Sequence, residues 1–191
     1  VLEREETRAI FFLYGHYLPT FYFRNAAWTL SHLNSIFSAD PDKYHLYLAA
    51  WEGYLSANLF EEIFFDEQIQ KLYYRGLHIE KELSRRYYRD PDDGIATHLA
   101  LATIAYYKNF TFDHPLFIAF WKDSDTKQKG EFVSNIGRLY VSSDNDRLTG
   151  FLERESDAKE VLRRLWDWVL ESSDEPEVFA EFGFWMSTKR D

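Results

Sequence analysis

The chain has 191 residues, of which 46% are hydrophobic and 19% aromatic, and its 22 Lys and Arg against 32 Asp and Glu give a formal net charge of −10. Such an aromatic content excludes an intrinsically disordered chain, and the acidic balance argues against general nucleic-acid binding, which needs a clustered positive surface. Because the sequence has no cysteine, disulfides, thiolate metal sites and cysteine nucleophiles are excluded, and we expect a cytoplasmic location. No apolar run reaches the roughly 18–20 residues of a membrane span, so no membrane partner is expected.

The first half of the chain has apolar residues at helical spacing, with breaks near its few prolines and glycines. Helices are predicted over about 2–16 and 20–37, separated by Pro19. Asp40 and Pro41 have the residue types of an N-cap and a first helical position, so a helix is predicted from there to about residue 58. A long helix over about 60–88 follows, with Gly76 as a kink.

The second half begins at the clearest break in the chain, Asp90-Pro91-Asp92-Asp93-Gly94. Further helices are predicted over about 95–109 and 115–121, after Asp125, over 147–170 and from Pro176. Short polar turns favour antiparallel neighbours, and helix pairs of roughly 40 residues are typical of HEAT-like units. We therefore predict an all-α fold, an irregular α-solenoid of about eight or nine helices in antiparallel pairs. Residues 1–191 are expected to form one domain with a weak break near 90–94, and the Val at position 1 favours a piece of a longer multidomain protein.

Local motifs of catalysis and metal binding are missing from the sequence. No His has a Glu three residues before it, as di-iron bundles require, and Asp42 with His45 is the nearest approach. Neither a Gly-x-Ser-x-Gly turn nor a phosphate-binding glycine loop occurs, and nothing pairs a Ser with a His locally. We expect a non-catalytic chain without metal or cofactor. The alternative is a helical-bundle enzyme or small-ligand-binding domain with a dispersed site.

Two features are candidate binding residues. Arg85, Arg86 and Arg89 lie in a basic run with two Tyr, which suits an acidic partner or phosphates. The same run also suits the C-terminus of the predicted helix, where cations oppose the dipole. The six Trp lie on or beside apolar stripes, which indicates core packing, but Trp168 lies off the stripe of Leu165 and Val169 and is the one expected to be an exposed contact.

The segment Trp51-Glu52-Gly53-Tyr54-Leu55, followed by a long helix rich in Leu and Tyr and a short apolar helix, resembles the DUF4020 region. The run at 116–121 followed by that at 132–138 fits the same order, so the resemblance covers about residues 40–170. That family comprises C-terminal helical segments of large bacterial proteins, many with a Sir2-like or nucleotide-binding domain upstream, which look like defence proteins. It brings no catalytic residues to this chain.

The resemblance implies a sensor or scaffold arm. With the all-α prediction, it leads us to expect a non-catalytic interaction region that binds another protein or adjacent domains of its own chain. The acidic composition favours a basic partner. A nucleic-acid contact through the three arginines is a further alternative.

Overall fold

The computed structural model of the chain describes residues 6–82, 86–138 and 156–186. Helices and turns make up these ranges, which contain no β-strand, so the predicted all-α fold class is confirmed. The internal contacts divide the chain into two compact units, the first ending at Ile95 and the second beginning at Ala96. The stacking of helix pairs into an irregular solenoid stays a prediction.

The first unit contains shorter helices than the sequence predicted. They are α1 (Arg8–His16), α2 (Leu18–Arg24), α3 (Ala26–Ile36), a 3₁₀ turn (Pro41–Lys43), α4 (Tyr44–Leu55), α5 (Glu61–Phe64) and α6 (Glu67–Gly76). The helix predicted over 20–37 is divided at Asn25, whose side chain caps α3 by accepting from the backbone N–H of Trp28 at 3.0 Å. Asp40 accepts from the backbone N–H of Asp42 at 3.0 Å, which confirms the predicted N-cap.

Helix α4 forms the core of the first unit. Its residues 46–55 are all buried, including Trp51 and Tyr54, whose rings contact the buried ring of Tyr73 from α6 at centroid distances of 5.3 and 5.9 Å. The apolar Trp-x-Gly-Tyr-Leu segment therefore packs inside the unit.

Helix α1 crosses α4 at two glycines. A Cβ on Gly15 would overlap the carbonyl oxygen of Ala50, and a Cβ on Gly53 would overlap that of Phe12. The crossing therefore requires residues without a side chain at both positions. It brings the C-terminal ends of α1 and α4 side by side.

The long helix predicted over 60–88 is wrong. A break at Phe65 and Asp66 separates α5 from α6, and α6 ends at Gly76, which packs on the Trp51 ring where a Cβ would overlap it. Residues 86–90 are not helical. The buried carboxylate of Glu52 holds them, because its Oε1 accepts from the backbone N–H groups of Tyr88 and of Arg89, the latter at 3.3 Å.

Six further helices are described after residue 90, and the boundary between the two units falls inside the first of them. They are α7 (Pro91–Ala105), α8 (Pro115–Asp123), α9 (Thr126–Ile136), α10 (Ser156–Ser172), α11 (Pro176–Ala180) and α12 (Gly183–Met186). Pro91 begins α7, so that helix starts four residues before the predicted start at residue 95.

Aromatic rings of α8 and α9 contact one another in the core of the second unit. Phe117 and Trp121 of α8 contact Phe132 of α9 at centroid distances of 5.6 and 6.2 Å. Lys129 of α9 forms an ion pair of 2.5 Å with Glu175, next to α11. The indole N–H of Trp185 donates to the carbonyl of Val133 at 3.0 Å, which joins α12 to α9.

Among the described residues, no helix has both the length and the apolar character needed to cross a bilayer.

Candidate functional site

A groove of about 220 Å³ opens on the surface of the first unit. Residues within 16–20, at the junction of α1 and α2, form one part of its lining, and residues within 56–60, between α4 and α5, form the other. The crossing of α1 and α4 at Gly15 and Gly53 explains this placement, since it brings the ends of both helices together.

His16 and Ser56 meet inside this groove. The His16 Nδ1 lies 3.1 Å from the Ser56 hydroxyl oxygen, which itself donates to the carbonyl of Gly53 at 2.7 Å. The Ser56 hydroxyl therefore contacts both the imidazole and a backbone carbonyl. A nucleophilic serine needs an imidazole that accepts its proton, whereas this hydroxyl donates to the Gly53 carbonyl. The contact with Ser56 orients the His16 ring in the groove.

Exposed aromatic side chains lie along the groove. Tyr17 and Phe60 line it, and Phe23 contacts Phe60 edge to face with ring centroids 5.1 Å apart. Tyr17 is 49% exposed and Phe23 55% exposed, and Leu13, one helical turn before Tyr17 on α1, is exposed as well. We call Tyr17, Phe23 and Phe60 the aromatic face, and Leu13 extends its apolar surface along α1. Adjacent exposed apolar side chains of this size are typical of interaction sites.

Carboxylates border the aromatic face. Glu61 and Glu62 follow Phe60 directly and are exposed, and the Tyr22 hydroxyl donates to Asp66 Oδ2 at 3.4 Å. Burial raises the pKa of the Tyr22 hydroxyl, and the negative charges of Asp66 and Glu62 raise it further. Residues 56–70 contain no Lys or Arg. We call Glu61, Glu62 and Asp66 the acidic edge.

A second groove, of about 430 Å³, lies between the 3₁₀ turn and the segment after α6. Its polar groups already bind one another, since the Tyr44 hydroxyl donates to the Glu80 carbonyl at 3.0 Å and accepts from the Glu80 N–H at 2.7 Å. Nearby, the Arg75 guanidinium donates to the carbonyls of Phe37 and Ser38 and covers the ring of Tyr47. The groove beside the aromatic face is the better candidate site, because exposed aromatic side chains line it.

Of the three arginines predicted as binding residues, Arg86 and Arg89 are not at the C-terminal end of a helix. Arg85 lies outside the described residues. Arg86 is exposed, whereas Arg89 is half-buried with its backbone held by Glu52. The explanation of this run by a helix dipole is wrong, because α6 ends at Gly76. Acidic side chains come next in the chain, and Asp90 and Asp92 both pair with Lys81, at 3.2 and 2.5 Å.

The prediction that Trp168 is an exposed contact is wrong. Its half-buried ring contacts the rings of Phe117 and Trp121, with centroids 5.1 and 4.8 Å away. The more exposed indole of α10 is that of Trp166, which was expected in the core and is 41% exposed beside Phe182. The prediction considered only the apolar stripe of α10. A second face of this helix, which carries Trp168, packs on α8.

The sequence did not reveal the aromatic face or the pairing of His16 with Ser56. The two residues are 40 positions apart, and only the crossing of α1 and α4 brings them together. The local signal in the sequence is a pair of glycines. Gly15 directly precedes His16, and Gly53 lies three positions before Ser56.

Within residues 6–82, 86–138 and 156–186, no three His, Asp or Glu side chains are arranged to hold a metal ion. No protein-family model, curated protein or solved structure matches this chain.

Proposed function

We propose that this chain is a non-catalytic protein-interaction region, a sensor or scaffold arm of a larger bacterial protein, acting in the cytoplasm as the resemblance to the DUF4020 region implies. The aromatic face is the observation that carries this proposal. Its partner is another protein or an adjacent domain of the same chain.

Burial of the aromatic face supplies the binding energy in this proposal. Water contacts more than half of Phe23 and about half of Tyr17, and removing such apolar surface from water is favourable by about 25 cal/mol per Å². Large aromatic side chains also dominate the energetics of known interfaces. The acidic edge beside them favours a basic partner, because opposite charges speed association and reject acidic competitors.

The geometry of the groove supports a binding role over the enzymatic alternative. The Ser56 hydroxyl donates to the Gly53 carbonyl, whereas acyl transfer uses a serine whose proton the imidazole accepts. No hydrogen bond links His16 to a carboxylate among the described residues.

Co-purification with the full-length protein tests the proposal. A tagged parent protein carrying Tyr17→Ser, Phe23→Ser and Phe60→Ser should lose a partner that the unaltered protein retains. A matched control carries Ile118→Ser and Leu170→Ser, since these side chains are similarly exposed, at 49% and 51%, but belong to the second unit. The control should retain the partner.

Equal recovery of every partner with the triple variant and with the unaltered protein would contradict the proposal. Because all three substituted side chains are exposed, a circular-dichroism spectrum should show an unchanged helical content in the variant.

A further inference from the structure

We propose that the groove beside the aromatic face receives an arginine side chain from a basic segment of the protein partner. This inference rests on the proposed function and specifies the chemistry that the partner must supply.

The lining of the groove suits a planar cation. Tyr17 and Phe60 contribute aromatic rings to it, and Phe23 extends this surface by its edge-to-face contact with Phe60 at 5.1 Å. Aromatic faces attract cations through their quadrupole, and a guanidinium stacks on them better than an ammonium because it is planar and weakly hydrated.

The size of the groove fits one long side chain. Its volume of about 220 Å³ is sufficient for one extended side chain. The remainder of the basic segment would then lie across the exposed parts of the aromatic face.

The charges around the groove favour a cation over an anion. Glu61 and Glu62 are exposed immediately after Phe60, which lines the groove, whereas the exposed Arg24 follows Phe23, which does not line it. The His16 Nδ1 already contacts the Ser56 hydroxyl at 3.1 Å, which leaves its other ring nitrogen for a ligand. The two acidic residues that follow Phe60 disfavour a carboxylate or phosphate nearby, whereas a guanidinium can bind a carboxylate through two parallel hydrogen bonds.

Defined peptides test this inference on the whole chain. The probes are three fluorescein-labelled peptides of sequence Gly-Leu-X-Leu-Gly, in which X is arginine, its neutral isostere citrulline, or lysine. Anisotropy at low ionic strength should show that the arginine peptide binds about tenfold more tightly than the citrulline peptide, and more tightly than the lysine peptide. Equal affinity for arginine and citrulline would overturn the inference, and equal affinity for arginine and lysine would overturn the choice of arginine.

Variants locate the binding. The preference for arginine over citrulline should disappear in Phe60→Ser, in Tyr17→Ser and in the double variant Glu61→Gln with Glu62→Gln. It should persist in Glu177→Gln, because that exposed carboxylate also lies in the first turn of a short helix but belongs to the second unit. A preference that survives both aromatic substitutions would overturn the inference.

The two proposals fail in different ways. A partner that depends on the aromatic face, combined with no arginine preference, would overturn the arginine inference alone. An arginine preference located at the groove, combined with no partner that depends on the aromatic face, would overturn the proposed function alone.

Discussion

His114 caps helix α8 only in its neutral form. Its Nδ1 accepts from the backbone N–H of Leu116 at 3.2 Å, and a protonated imidazole has no lone pair left for that bond. Burial lowers the pKa of His114, although the nearby charge of Asp113 opposes the shift. The folded chain therefore binds this proton more weakly than the unfolded chain does.

This linkage predicts a pH dependence of stability. The contribution of neutral His114 is complete above the unfolded pKa of about 6.5 and is lost as the pH falls from there through the lower folded pKa. His114→Asn keeps an N-cap acceptor but does not titrate. Urea denaturation at pH 8 and pH 5.5 should show a larger loss of unfolding free energy in the unaltered chain than in the variant. Identical losses would show that His114 does not contribute.

Glu52 shows why single residues defeat sequence-based prediction. It lies within an apolar run of α4, where the sequence predicts only packing, yet its carboxylate is buried and accepts hydrogen bonds from the backbone N–H groups of Tyr88 and Arg89. Its partners are 36 and 37 positions away. Because these partners are backbone groups, the sequence contains no residue type that identifies them.

At the scale of elements, the crossing of α1 and α4 supports the candidate site. Gly15 and Gly53 contact backbone atoms of the opposite helix, so neither position has space for a methyl group. The crossing thus fixes both the packing of the first unit and the position of His16 beside Ser56.

We expect Gly53→Ala to destabilise the first unit by about 3 kcal/mol or more, since the added Cβ meets rigid backbone and not a movable side chain. The matched control is Gly183→Ala, where a Cβ would have no neighbour within 4 Å and alanine favours the helix. Chemical denaturation of both variants measures the difference. A Gly53→Ala chain as stable as the control would contradict the close crossing.

Helix type was predictable and helix ends were only partly so. The capping residue Asp40 was found from the sequence because its signal is local. The end of α6 was missed because the packing of Gly76 on Trp51 and the capture of residues 86–90 by Glu52 are both tertiary contacts. The expected helix C-terminus at the arginine run and the expected exposure of Trp168 failed for the same reason, since they depended on an assumed continuous helix and on an assumed single packed helix face.

For the whole molecule, the composition predicts a basic partner but not the surface that binds it. The net charge of −10 favours a basic partner wherever the binding surface lies. Only the structure brings Tyr17, Phe23 and Phe60 together from separate elements and sets Glu61 and Glu62 beside them. We therefore propose that binding takes place at the aromatic face of the first unit.

Site-specific photo-crosslinking tests whether a partner contacts the aromatic face. The photoreactive residue p-benzoylphenylalanine would replace Phe23 in the full-length protein, and in a control it would replace Ile118, which is similarly exposed in the second unit. We predict a crosslinked partner or domain at position 23 that is absent at position 118 and is displaced by the arginine peptide. Crosslinks of equal yield at both positions, or none at position 23, would contradict the assignment of binding to this face.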